Sequence, residues 1–224
     1  MTFDDSILDH IEPDLSARIT SRRDLFASVR NKLGAAVAAP VLLAAVSTQA
    51  FSQGVPKQVQ DVLNFALTLE YLEDEFYRTA LEKGVVPGNH MAVFSQISRH
   101  ETEHVATLRG ALGAAAVSKP QFDFTAGGKY ADIFSNFKTF ALVSQTLEDV
   151  GVAAYKGQAP ALTGGGALLT TALQIHSVEA RHAAEVRLIR GVRPWIGAFD
   201  KPMSKGQVLA AAKPFIVSAA SASG

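Results

Sequence analysis

The sequence predicts an all-α protein: four long helices packed as two hairpins, with a short helix after them. Three observations predict it. Four stretches of about 22 to 26 residues carry apolar side chains at three- and four-residue steps, and no run alternates as a strand would. The connections read short, long, short, so each short one closes an antiparallel hairpin. The second hairpin also repeats the first at an offset of 78 residues, from Glu70 to Glu148 and from Glu101 to Glu179.

The first 52 residues differ in character from the rest. Met1 to Thr20 is polar without clear period, Ser21-Arg22-Arg23-Asp24-Leu25-Phe26 follows, and Leu33 to Ala50 is an uncharged, alanine-rich run. Twin arginines ahead of a moderately apolar run resemble a Tat export signal. Residues 1–52 are therefore expected to be a cleaved signal recognised by the Tat machinery, and 53–224 the mature domain in the periplasm or beyond it. The alternative is an uncleaved anchor facing the periplasm. Pro40 and the abundance of small residues weaken that alternative.

The first helix is expected over Pro56–Leu81. Leu63, Ala66, Glu70, Glu73 and Tyr77 share one face, and Lys83-Gly84 reads as a stop. Val85 to His90 forms a short loop, and the second helix spans about Met91–Leu112. Gly113 to Gly128 is an irregular crossover with Phe122, Phe124 and Tyr130 available to pack on the bundle. The third helix is expected from Ala131 to Tyr155, with a break near Asn136. A loop rich in proline and glycine leads to the fourth helix, Ala167–Ile189. A short helix over Ser204–Ile216 caps the bundle, Trp195 is read as a packing residue, and Ser218–Gly224 frays.

Composition narrows the function. The 224 residues carry 21 basic and 21 acidic side chains, so net charge is zero, and no basic stripe suits a nucleic acid. There is no cysteine, which excludes disulfides, thiolate-held clusters and cysteine zinc sites. A metal would have to be held by oxygen and imidazole nitrogen.

The repeated residues supply such ligands. Each hairpin carries a Glu, a Tyr seven residues on, and a Glu-x-x-His on the following helix. These are Glu70, Tyr77, Glu101 and His104, then Glu148, Tyr155, Glu179 and His182. A Glu and a His three apart differ by about 60° in direction and about 4.5 Å in height, so both can face one ion. Two such pairs, with one Glu from each remaining helix, match the six-ligand arrangement of dinuclear carboxylate bundles. Four carboxylates also balance two divalent cations. Tyr77 and Tyr155 face the core about 10.5 Å along the axis from Glu70 and Glu148, placed to bond a carboxylate of the opposite hairpin or to supply an electron. One Glu-x-x-His is ordinarily a solvated pair; two copies in register with two further Glu and two Tyr are not. Glu73, His100, Glu103 and His176 read as surface groups or as neighbours of the ligands, His90 as a cap, and Arg109 and Arg187 as solvated helix arginines or as partners for carboxylates at the bundle end.

The stretches 68–77, 100–104, 147–155 and 178–182 resemble the ferritin-like superfamily, and more narrowly exported bacterial ferritin-like proteins related to desiccation-related proteins. The resemblance covers about Val55–Ile216. It implies bridging by Glu101 and Glu179, with Glu70 and His104 completing one ion's shell and Glu148 and His182 the other's. It implies two iron ions, with iron(II) and dioxygen or hydrogen peroxide as substrates, in oxidative or desiccation stress. Two manganese ions with catalase-like disproportionation are an alternative. A non-enzymatic stress protein stapled by its metals is another. Rubrerythrins carry a further Glu where this chain has Gly151, and a cysteine-based iron domain that is absent here. Homo-oligomerisation stays open.

Overall fold

The computed structural model describes residues 55–217; the export segment expected over 1–52 and the fraying tail at 218–224 lie outside them. Helix α1 runs Lys57–Lys83, α2 Met91–Leu112, α3 Phe137–Gln158 and α4 Ala167–Ile189. A short α5, Lys205–Ala212, follows. The expected ends of α2 and α4 are those observed.

Local chemistry sets the other ends. Gly84 closes α1 in the left-handed region at φ 69°, where its N–H reaches the carbonyls of Ala80 and Leu81. Helix α3 begins at Phe137 rather than Ala131, because the Asn136 side chain accepts from the Lys138 N–H and fixes the cap there. The residues before it form turns, organised by Asp123, whose carboxylate accepts from the N–H groups of Thr125 and Gly127. Ser204 and Gln207 form a capping box on α5, and that helix gives way at Lys213-Pro214-Phe215 to a tight 3-10 turn. Ile216, expected to end a helix, instead forms a strand with Val217. In this two-residue antiparallel ladder β1 (Gln121–Phe122) pairs with β2 (Ile216–Val217), stitching the crossover to the C-terminal segment. No alternating pattern announces a ladder this short.

The four helices share one packing plan. One end of the bundle is aromatic: Phe76, Tyr77, Phe94, Phe140 and Val186 pack together, with Phe76 stacked on Phe140 at 5.1 Å. The other end is mainly aliphatic: Leu63, Leu67, Leu108, Leu168, Ile175 and Tyr155. On every long helix the candidate glutamate and histidine ligands fall between these two clusters, so apolar side chains close the middle of the bundle from both ends. Phe124 is buried, Phe122 lies against it and Tyr130 stacks on Phe215, so all three crossover aromatics pack on the bundle as expected. Trp195 is 70% exposed and is not a packing residue. Among the described residues no helix is long and apolar enough to cross a membrane.

Candidate metal centre

Glu70, Glu101, Glu148 and Glu179 are each fully buried at 0% exposure, and His104 and His182 nearly so. Burying four carboxylates is expensive unless they are paired or neutralised. Their ligand atoms form two overlapping groups, Glu70–Glu101–His104–Glu179 and Glu101–Glu148–Glu179–His182, with the atoms of each group within 4.8 Å of one another. Either group could hold a metal ion. Glu101 and Glu179 belong to both, and the division of the remaining residues matches that implied by the resemblance.

The contacts converge on points rather than on partners. His104 Nδ1 lies 3.2 Å from Glu70 Oε2 and 3.1 Å from both Glu101 Oε2 and Glu179 Oε1. His182 Nδ1 lies 2.9 Å from Glu101 Oε1 and 3.4 Å from Glu148 Oε2. Neighbouring ligand atoms about 3.0 Å apart are what octahedral bonds of about 2.1 Å produce. His104 Nδ1 hydrogen-bonds Glu70 Oε2 and Glu101 Oε2, but not every ligand atom has such a partner. Glu101 Oε1, Glu148 Oε2, both Glu179 oxygens and His182 Nδ1 are buried without a well-aimed partner. Buried polar atoms are normally satisfied, so five such orphans on the residues of the two groups fit bound cations.

Charge coupling within the metal-free cluster is strong. Burial pushes Glu101 up to about 7 against the hydrogen bonds of His104 and His182, and burial with the surrounding carboxylates pushes Glu179 well above the usual range. Burial works against a charged His182, but Glu148 and Glu101 outweigh it and lift it to about 11. His104 rises further still, because Glu70, Glu101 and Glu179 surround it. Glu70 is raised by burial but falls below its ordinary value through the His104 charge. Without a cation, protons on the imidazoles hold this cluster together.

The two phenols cross over between hairpins. Tyr77 of α1 donates to Glu148 Oε1 at 2.5 Å, and Tyr155 of α3 donates to Glu70 Oε1 at 2.5 Å. Burial and the adjacent carboxylate raise both phenols, so each keeps the proton it donates. Tyr77 also contacts Ser144 Oγ at 2.7 Å. Ser144 escaped the sequence reading, although it stands one turn before Glu148 on the same face. His100, read only as a surface group or a neighbour of the ligands, reaches across from α2, and its Nδ1 lies 2.9 Å from His182 Nε2. If Nδ1 of His182 binds a metal, Nε2 would carry the hydrogen and donate to His100. His176 is half-buried and stays outside the ligand groups. His90 makes no side-chain cap and stacks on Phe137 at 5.3 Å. Arg187 forks onto Asp149, at 3.1 and 2.7 Å.

A four-helix bundle with one long crossover, its buried glutamates and histidines at mid-height, defines the ferritin-like class. The chain belongs to the ferritin-like domain family, whose pattern matches residues 58–192. A comparison with curated proteins finds no match.

Proposed function

We propose that this protein is an exported dinuclear-metal oxidoreductase that couples oxidation of iron(II) to reduction of hydrogen peroxide or dioxygen, protecting against oxidative or desiccation stress. The observation that carries this reading is the pair of overlapping ligand groups with Glu101 and Glu179 in common. In this reading Glu70 and His104 complete the shell of one iron, Glu148 and His182 that of the other. The ions, when bound, supply one-electron redox chemistry and Lewis acidity toward the oxidant. The residues supply the rest. Four carboxylates neutralise two divalent charges inside a shell closed by apolar side chains. Tyr77 and Tyr155 lock the outer oxygens of Glu148 and Glu70, and each can give an electron while its proton passes to the carboxylate it touches. In the overall reaction two iron(II) give one electron each, and hydrogen peroxide with two protons leaves as two waters.

The twin arginines at Arg22-Arg23 support Tat export to the periplasm, which would let the chain fold and take up metal before leaving the cytoplasm. The donor set also suits a manganese pair with catalase-like activity, because oxygen and imidazole ligands accept both metals. Elemental mass spectrometry of protein purified from its native compartment separates these readings. About two irons per chain, lost together with peroxide-dependent iron(II) oxidation when Glu101 and Glu179 are both changed to Ala, is the expected result. Two manganese ions would select the catalase-like reading. No metal, and none taken up from added iron(II), would leave a structural bundle and end the proposal.

A further inference from the structure

Three apolar side chains project from the loop between α4 and α5. Trp195, Ile196 and Phe199 are 70, 84 and 92% exposed, while every other exposed large apolar side chain among the described residues is at 55% or less. Single exposed apolar residues are ordinary, but a run of them on one short segment marks a contact surface. A Cβ at Gly197, between them, would meet no atom within 4 Å, so the tip stands clear of the bundle.

The loop is held at its base. The Val192 N–H donates to the Arg187 carbonyl at the end of α4, and the Met203 N–H donates to the Ala153 carbonyl on α3. Lys156 donates to the Asp200 carbonyl at 3.1 Å and lies 3.6 Å from the Asp200 carboxylate. Asp200 is the one acidic residue from Gly191 to Met203, so Lys156 offsets the negative charge of the loop. Arg193 and Lys201 are both exposed, each is followed by proline, and they stand on either side of the apolar tip. Neither forms an ion pair among the described residues.

We infer that this loop docks the protein on an anionic lipid bilayer. Trp195, Ile196 and Phe199 enter the boundary between headgroups and acyl chains, and Arg193 and Lys201 meet the lipid phosphates. Trp195 suits that level, where its ring leaves water and its N–H keeps a polar partner. The backbone from Arg193 to Pro202 is neither helix nor strand, so it cannot enter the hydrocarbon deeply, and the attachment is peripheral. Charge and shape together select this partner. A second copy docking by the same loop would bring Arg193 and Lys201 close to their own equivalents across a twofold axis. An acidic protein would satisfy the cations, but it would need a preformed pocket for each projecting side chain. A fluid bilayer closes around all three and supplies the anions. The inference is independent of the metal centre.

Trp195 is the single tryptophan of the sequence, so its fluorescence reports on this loop alone. Protein purified from its native compartment is titrated with vesicles of phosphatidylglycerol and, separately, of phosphatidylcholine. The expected result is a blue shift of the emission and quenching by lipids brominated near the top of the acyl chain. Binding to the anionic vesicles should be tighter by about tenfold or more and should weaken with added salt. The double variant Ile196→Ser/Phe199→Ser keeps the reporter and should lower vesicle affinity by about tenfold or more. Arg193→Ala/Lys201→Ala should remove the preference for phosphatidylglycerol. All four side chains are exposed, and unchanged melting temperatures would show that the fold is intact. Emission unmoved by either vesicle overturns the proposal, as does vesicle binding that the Ile196→Ser/Phe199→Ser variant retains in full. A blue shift that grows with protein concentration without lipid would overturn it in favour of a second copy, and one produced by polyglutamate but not by vesicles in favour of an acidic protein.

Discussion

The two hairpins agree where an ion would be held and differ around it. Glu70, Tyr77, Glu101 and His104 have counterparts in Glu148, Tyr155, Glu179 and His182, and the phenol of each half bonds a carboxylate of the other. The supporting residues do not repeat. Ser144, which backs Tyr77, corresponds to Ala66; His100, which meets His182, corresponds to Val178; Glu73 corresponds to Gly151; Asp149, which pairs with Arg187, corresponds to Tyr71. The repeat thus preserves the inner ligand atoms and lets the contacts that support them diverge. Two metal positions built from the same residues would then have unequal surroundings.

The largest effect should come from breaking what the halves share. Glu101→Ala or Glu179→Ala removes a carboxylate common to both groups and is expected to lower metal content from about two per chain to none. Glu70→Ala or Glu148→Ala touches one group and should leave about one. Equal losses from all four variants, read by elemental mass spectrometry, would erase the distinction between shared and private ligands.

Next comes the imidazole support present in one half alone. A group that orients a ligating histidine typically contributes 10–100-fold in metal affinity. His100→Leu should therefore weaken the ion on the His182 side by about tenfold or more, with the His104 side unchanged. Titration with cobalt(II), followed by its visible absorbance, should change from one steep phase to two. A single undivided phase would mean that His100 supports neither ion.

Eight of the residues in this comparison were legible because of the repeat. One Glu-x-x-His carries little weight, but an offset of 78 residues that also returns Glu and Tyr fixes which faces turn inward. The ends of α2 and α4 were legible for similar reasons, since periodicity stops where breakers begin. What stayed hidden depends on distances between helices. Nothing along the chain says that His100 lies beside His182, because 82 positions separate them and only the packing of α2 on α4 brings them together. The start of α3 was hidden because residues 131–135 suit a helix in composition, and the Asn136 cap with the Asp123 turns decides otherwise. Trp195 misled for the opposite reason: a large aromatic is usually packed, yet here it sits in an exposed loop.

The phenols give a smaller, graded test. Tyr77→Phe removes contacts with Glu148 and Ser144, and Tyr155→Phe removes one with Glu70. Leaving buried groups unpaired costs about 1–3 kcal/mol. Tyr77→Phe should fall at the upper end of that range and Tyr155→Phe near about 1 kcal/mol, measured by urea unfolding of the metal-free protein. The reverse order would show that Ser144 adds nothing to the Tyr77 half.

Proton linkage sharpens the same point. Glu101 is raised from 4.5 to about 7 and His182 from 6.5 to about 11 on folding. Both bind more protons in the folded protein, so their stabilising protonated forms are fully present at low pH and are lost as pH rises. For Glu101 the loss runs from about 4.5 to about 7, and for His182 from about 6.5 to about 11. Glu70, lowered, acts in the opposite sense and only at the acid end. The melting temperature of the metal-free protein should therefore fall between pH 5 and pH 9. Adding two equivalents of metal should flatten or reverse that slope, because the ions displace the same protons. A metal-free protein whose melting temperature rises over this range would contradict the charge arrangement described.

The smallest difference lies outside the cluster. Arg187 and Arg109 occupy the same place in the repeat, but among the described residues only Arg187 has a carboxylate to hold. Its guanidinium is mostly buried at 13% side-chain exposure, and Asp149 is a third exposed, so solvent screens the pair in part. Paired surface charges contribute about 0.2–1 kcal/mol, and the two-pronged geometry places this one near the top. Arg187→Ala should cost about 1 kcal/mol and weaken with added salt, while Arg109→Ala should stay within about 0.5 kcal/mol of wild type. In the double-mutant cycle with Asp149→Ala, a coupling energy should appear for Arg187 and vanish for Arg109. Equal costs for the two arginines would mean that packing of the long side chain, which both share, outweighs the ion pair that one of them makes.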